Sequence, residues 1–374
     1  MKARENELKT KQGKIACPST ELDLGITLKG GQSFRWFPWN NGYRGVFDGC
    51  VWTLAQSDTH LSYVVHGPLV DTRNYDDALS RYFRLDVSLE DLCKKWAAGD
   101  QQFEKSLNQT NGVRILNQEV VENVFSFICS SNNNIQRISG MVEKLCSLFG
   151  EKICSLEGKD YYNFPSVDML AGEDVENKLK GEKFGYRAGY IANAARSLME
   201  LGGERWLLNL RRENDVPYAK AREQLITLPG IGPKVADCVC LMSLGHLEAI
   251  PVDTHIFQIA RANYLPHLRQ QKSVTPKIHA EISHHLRELW GPFAGWAQAI
   301  VFCAKINNAA TTASNKKRKG SSARQPGYLL RSKSHKCVSY HGVVWTLHKR
   351  NRKIPDQAPA RNKRWWLCYS NSPY

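Results

Sequence analysis

The chain has 374 residues, with 51 Lys and Arg against 36 Asp and Glu, a formal net charge of +15. At about 100–200 residues per domain this length suits two domains, and 42% hydrophobic with 10% aromatic residues excludes global disorder. No run reaches the ~18 apolar residues of a membrane helix, since Val235–Val252 is broken by Asp237, His246 and Glu248. Met1–Lys14 mixes Lys, Arg and Glu and has no apolar stretch of the kind a secretory signal needs. The eleven cysteines, an odd number without framework spacing, read as reduced thiols.

The charge is unevenly placed. Lys316–Tyr374 holds fifteen Lys and Arg and one acid, Asp356, which leaves 36 basic and 35 acidic residues over 1–315. The body is near neutral, so any nucleic-acid site in it must rest on a local constellation rather than on overall charge.

Residues 1–16 are expected to be disordered. From Cys17 to about residue 80 the chain reads as antiparallel β structure: Gly42–Phe47, Cys50–Leu54 and Leu61–Val65 are β-branched or aromatic runs, with Asn40-Asn41-Gly42 and Asp48-Gly49 as turns. From about Asp86 the period becomes helical. Val120–Cys129 carries an apolar stripe at Val120, Val121, Val124, Phe127 and Ile128, and Ile138–Phe149 repeats it before Gly150 at a C′ position. Thr275-Pro276 is an N-cap and N1 pair that opens a helix through Trp290, closed by Gly291. Asn315–Gly327 reads as a polar linker. The fold class is α+β: a β-rich domain over 17–117, a helical domain over 118–306, and a basic disordered tail over 307–374.

Chemistry concentrates in Leu228-Pro229-Gly230-Ile231-Gly232-Pro233-Lys234. Ala221–Leu228 reads as a helix, Pro229–Gly232 as a tight hairpin and Pro233 as the start of a second helix. Gly230 and Gly232 permit positive φ and a bare surface, so amides at a helix N-terminus can grip a nucleic-acid phosphate. Lys234 in the first turn sits where the helix dipole disfavours a second cation, so its ammonium is expected to lose a proton more easily and act as a nucleophile. Cys238 lies one turn further on the same face. Asp253, nineteen residues after Lys234, caps the next helix, and a carboxylate there could hold the ammonium or support a developing sugar cation. Taken singly, each feature is ordinary: a corner between helices, a surface lysine, a core cysteine, a capping Asp. Their conjunction is not.

With these residues in hand the chain resembles the helix-hairpin-helix DNA glycosylases, and among them the 8-oxoguanine DNA glycosylase/AP lyases of eukaryotes. The resemblance runs from about Cys17 to Ile306 on separate strings in order: Gly30–Trp36, Phe125–Ile135, Gly185-Tyr186-Arg187, the hairpin with Lys234, Pro251-Val252-Asp253, and Trp290–Gln298. It implies double-stranded DNA with 8-oxoguanine opposite cytosine as partner, a monomer with no membrane association, and a nuclear and also mitochondrial location. It implies base extrusion, with Asn132 filling the gap, Tyr186 wedging the stack, Arg137 and Arg187 gripping the orphaned cytosine, and His255 on a phosphate. Cys238 and Phe302 would sandwich the base, Gln298 would read its edge, and the Gly31 carbonyl would accept the N7–H that guanine lacks. Lys234 would attack C1′, with Asp253 assisting. No cofactor is implied, neither metal nor iron–sulfur cluster, because only Cys303, Cys337 and Cys368 follow the catalytic region.

The resemblance has limits. Pro233 stands where relatives often carry Thr, and nothing after about Asn307 matches. In that tail Val343–Leu347 could be a strand, Arg361–Trp366 a weak DNA tether, and Lys316–Lys319 a nuclear localisation signal or only a solvated run. Two rivals stand beside the main reading. One is a related glycosylase for another damaged base, which the absent cluster and the Gly31 strand segment disfavour. The other is a non-catalytic helix-hairpin-helix module, which the neutral body disfavours.

Overall fold

A computed structural model describes residues 9–321, with side chains through Asn307. In chain order the elements are β1 (Thr10–Ala16), α1 (Leu24–Lys29), β2 (Phe37–Trp39), β3 (Gly42–Phe47), β4 (Cys50–Gln56), β5 (His60–His66), α2 (Tyr75–Phe83), α3 (Leu89–Gly99), α4 (Gln101–Leu107), α5 (Val120–Ser130) and α6 (Ile135–Phe149). Then come β6 (Lys152–Leu156), β7 (Lys159–Tyr162), α7 (Val167–Ala171), α8 (Val175–Gly181), α9 (Arg187–Leu201), α10 (Glu204–Leu208), α11 (Tyr218–Ile226), α12 (Pro233–Met242), α13 (Thr254–Ile259), α14 (Pro276–Trp290) and α15 (Ala294–Ser321).

The first five strands form one antiparallel sheet in the order β1-β5-β4-β3-β2. Asp48 and Gly49 both take positive φ (53° and 71°), the two-residue hairpin that the Asp-Gly pair promises. Along β4 and β5, Trp52 faces Val65 and Leu54 faces Tyr63, so alternate residues enter a core with Leu24 and Leu28 of α1 and Leu79, Tyr82 and Phe83 of α2. The helices from α3 to α15 share a second core.

These two layers belong to one compact unit that runs through Ser321. Their seam is polar and ordered. Arg114 is fully buried and donates to the backbone carbonyls of Glu21, Phe83, Arg84 and Val87 and to the Glu21 carboxylate. Gln32 donates to the Arg114 carbonyl (2.8 Å) and accepts from the Leu116 N–H (3.0 Å), while the Gln32 carbonyl accepts from Gln118 (3.0 Å). The loop that carries Gly30 and Gly31 is thereby fixed against the start of α5.

The α+β class with its sheet first and helices after stands, with four local corrections. Residues 10–16 are not disordered: β1 pairs with β5 over its whole length as a polar edge strand. The helical part is not all-helical, because β6 and β7 form a small hairpin whose Cys154 and Tyr161 pack with Val46 and Val51 of the first sheet. The helix ending at Gly150 does not close on a left-handed residue. Gly150 has φ −86°, and glycine is needed there because a Cβ would lie 2.0 Å from the Asn163 carbonyl oxygen. Finally α15 continues to Ser321, so helix rather than linker occupies 307–321, including Lys316–Lys319. The readings made for Val343–Leu347 and Arg361–Trp366 fall outside the described residues. Among the described residues no helix is long and apolar enough to cross a membrane.

Candidate active site

The hairpin between α11 and α12 forms as its sequence requires, but the two glycines do different work. Gly230 takes φ +79°, and a Cβ on it would stand 2.6 Å from the Cβ of Tyr190 on α9. Gly232 is extended (φ −90°), is the N-cap of α12, and would have open space around a Cβ. The expectation of positive φ therefore holds at Gly230 alone. No side chain caps α12, so its first-turn amides, with the helix dipole behind them, are free of a side-chain acceptor.

Lys234 in that first turn, half-buried, opens onto a cavity. Gly31, Phe127, Cys238, Asp253, Gln298 and Phe302 line the same cavity, so five separate elements or loops converge on it. The Lys234 ammonium lies 4.6 Å from the centroid of the Phe127 ring. It also interacts with the Cys238 thiol one turn along α12. Burial pushes that thiol up to about 11, against the pull of Lys234.

Asp253 caps α13 as its sequence indicates: Oδ1 accepts the Ile256 N–H at 2.8 Å. Among the described residues there is no ion pair within 4.0 Å between Asp253 and Lys234. The direct pairing of carboxylate and ammonium is thus not formed in this structure, where Oδ1 serves the cap. Instead the two groups share the cavity without being joined, and the amine remains open to a ligand.

Gln298 and Phe302 lie one turn apart on α15. Gln298 is buried, and its Nε2 donates to the Pro251 carbonyl (3.1 Å), which fixes its amide plane against the segment leading to Asp253. Phe302 is half-buried and meets the exposed His255 ring edge-on at 5.8 Å between centroids. Gly31 sits with φ +78° in the loop after α1, not in a strand.

A second group of residues gathers beside the cavity, at the turn between α5 and α6. Asn132 takes φ +48° and is exposed. Its neighbours hold the turn: Asn133 donates to the Cys129 carbonyl (2.9 Å), and Asn134 caps α6 by accepting the Arg137 N–H (3.0 Å). Tyr186, 53% exposed, donates its hydroxyl to the Ser131 carbonyl at 3.0 Å. Arg187 is buried and donates to the carbonyls of Ser131 and Asn132, with its guanidinium 4.5 Å from the Tyr186 ring centroid. Arg137 is exposed and reaches the Lys183 carbonyl at 3.3 Å, on the loop that leads to Tyr186. Asn132, Tyr186 and Arg187 are therefore one assembly, and Arg137 lies one loop away. Both guanidiniums are occupied by backbone carbonyls in this structure.

Sequence reading assigned no role to Phe127, Gln32 or Tyr190. Phe127 was visible only as part of an apolar stripe, although it forms the face over which Lys234 sits. Gln32 owes its importance to partners more than 80 residues away, and no local pattern announces that.

Two family models match the chain: the 8-oxoguanine DNA glycosylase N-terminal domain over residues 14–124 and the HhH-GPD superfamily of base excision DNA repair proteins over 125–290. The N-glycosylase/DNA lyase of Saccharomyces cerevisiae is 38% identical over 83% of this chain and 91% of its own length. The N-glycosylase/DNA lyase OGG1 of Arabidopsis thaliana is 38% identical over 77% of this chain and 78% of its own. The 8-oxoguanine glycosylase/lyase of Clostridium acetobutylicum, solved with duplex DNA containing cytosine opposite 8-oxoG, superposes with a TM-score of 0.68 at 26% identity, covering 81% of this chain and 99% of that one. A sheet layer and a hairpin-bearing helical layer meeting at one cavity, matched by both models in sequence order, mean that the chain belongs to the 8-oxoguanine DNA glycosylase family.

Proposed function

We propose that this chain excises 8-oxoguanine opposite cytosine from duplex DNA and then cleaves the abasic strand, with Lys234 as the nucleophile. The observation that carries this reading is an amine and a carboxylate, Lys234 and Asp253, on one cavity walled by Phe302 and Cys238 and not paired with each other. The Lys234 nitrogen attacks C1′ of the extruded nucleotide. The bond from C1′ to the base breaks, and its electrons leave with the base, which takes up a proton. Opening of the sugar ring gives an imine between Lys234 and C1′. Loss of a C2′ proton then expels the 3′ phosphate, and water releases the enzyme. Asp253, held by its cap, supports the positive charge that develops on the sugar.

The other residues serve recognition. The Gly31 carbonyl accepts the N7–H of the oxidised base, Gln298 reads its edge, and the Gly230–Gly232 hairpin and His255 hold phosphates. One hydrogen bond discriminates by about 1–3 kcal/mol, so normal guanine must also be rejected during extrusion. Asn132 fills the vacated position and Tyr186 wedges the stack. Arg137 and Arg187 exchange their backbone acceptors for the estranged cytosine. We place the enzyme, as a monomer, in the nucleus and also the mitochondrion, where such duplexes occur.

Borohydride trapping on an 8-oxoguanine:cytosine duplex tests this. Wild type should form a covalent adduct and Lys234→Gln should not. An adduct that survives the substitution, or none with wild type, leaves only a DNA-binding module.

A further inference from the structure

Asp237 lies three residues after Lys234 on α12 but does not line the cavity; its side chain is completely buried. Oδ1 accepts the Tyr218 hydroxyl at 2.7 Å and the Arg222 Nε–H at 2.8 Å, both from α11. Oδ2 lies 3.1 Å from Nε2 of His279 on α14, itself buried. A single carboxylate thus ties the helix before the hairpin to the helix after it, while Oδ2 faces the buried His279 ring without a hydrogen bond. Burial, followed by the Asp237 charge, pushes the Tyr218 hydroxyl upward, which keeps it a donor.

Stability alone gives no reason for this arrangement. Burying a carboxylate costs several kcal/mol before its partners offset it, and well-packed apolar side chains often do as well or better. What the charged cluster supplies is direction. Its two hydrogen-bonded partners, Tyr218 and Arg222, both come from α11, so rotation or sliding of α12 against α11 breaks short, charge-assisted hydrogen bonds. The hairpin that grips the phosphate and the helix that carries the amine are thereby held in one fixed relation.

We infer that Asp237 is a positioning residue for Lys234: with Tyr218 and Arg222 it holds α12 against α11 so that an amine anchored near the phosphate clamp meets C1′. This rests on the reading of Lys234 as the nucleophile. A displacement of about 1 Å at a reacting atom costs on the order of 10²-fold in rate, while the hairpin amides, being backbone, would still reach the phosphate.

The test compares full-length wild type with Asp237→Asn, which keeps size and loses charge. Single-turnover excision and borohydride trapping are measured on an 8-oxoguanine:cytosine duplex, and affinity on a duplex carrying an uncleavable tetrahydrofuran site. We expect both rates to fall by about 10- to 100-fold with affinity within about threefold of wild type. Tyr218→Phe should give a smaller fall of the same kind, and adding it to Asp237→Asn should cost little more, since the shared contact is already lost. A wild-type trapping rate in Asp237→Asn overturns the inference, as does an equal loss of rate and affinity, or additive effects in the double variant. Should Asp237→Asn fail to fold, an unchanged rate in Tyr218→Phe overturns it. Failure of wild type to trap at all would instead refute the assignment of Lys234.

Discussion

The backbone at Gly230 rests directly on Tyr190: a Cβ at position 230 would stand 2.6 Å from the Cβ of that tyrosine. Tyr190 in turn meets the Tyr186 ring edge-on at 5.7 Å, so the hairpin and the exposed Tyr186 share one support. Gly230→Ala is therefore expected to cost about 1–3 kcal/mol from its left-handed φ alone, and more from the contact. Because the hairpin must shift, affinity for a tetrahydrofuran duplex should fall as well. Gly232→Ala meets open space at an ordinary φ, so urea unfolding should barely change, while any loss of DNA affinity reports the approach of phosphate. Equal unfolding midpoints for the two variants would refute the distinction.

Asp253 has two separable duties. As an N-cap its oxygen accepts the Ile256 N–H, and Asn caps a helix about as well as Asp. Asp253→Asn should therefore leave the unfolding free energy within about 0.5 kcal/mol of wild type. Excision on an 8-oxoguanine:cytosine duplex should nonetheless drop by at least about 10²-fold, because the charge facing the cavity is gone. Loss of stability in step with activity would make Asp253 a cap and nothing else.

The parts legible in sequence were those with local causes. Asp48-Gly49 dictates its own hairpin, Thr275-Pro276 its own helix start, and Gly230 its own turn. Asp253 was readable as a cap because the signal lies within three residues. What escaped was set by distant partners. Gly31 is presented by Gln32, whose partners at 114–118 come from the far side of the seam. Arg187 could be placed near the Asn triple by resemblance, but its burial beneath the carbonyls of Ser131 and Asn132 depends on how α9 packs against the turn. The strand at 10–16 has no core-facing apolar set, because as an edge strand it is held by pairing with β5 rather than by burial.

Buried thiols set an alkaline limit. Burial pushes Cys238 up to about 11 and Cys129, Cys146 and Cys303 up to about 12. Below about pH 8.5 these groups are neutral whether the chain is folded or not, and they make no pH-dependent difference. Above it the unfolded chain ionises first and the native state retains the protons, so stability falls as pH rises, by at most about 1.4 kcal/mol per unit for each thiol. Urea midpoints should be flat from these groups up to about pH 8.5 and decline steadily between about pH 9 and 11. Replacing Cys303 by Ala should flatten part of that slope, and a midpoint insensitive to pH across this range would contradict the assignment.

Arg114 joins stability to the site. It is fully buried, five acceptors surround it, and its guanidinium lies 5.1 Å from the Trp296 ring centroid. Its own carbonyl holds Gln32, the residue that follows Gly31 in the loop between α1 and β2. Arg114→Gln removes the charge that pairs with Glu21, leaves several buried carbonyls without donors, and should cost about 3–5 kcal/mol. For a unit of this size that corresponds to a fall of about 5–8 °C in Tm. Below that lowered Tm the folded fraction should still trap on a simple abasic duplex, since Lys234 and the hairpin are untouched. Its preference for 8-oxoguanine over guanine should weaken, because the Gly31 carbonyl is no longer held in place. A variant that loses stability but keeps full discrimination would show that Gly31 is fixed by its own backbone, not by the seam beneath it.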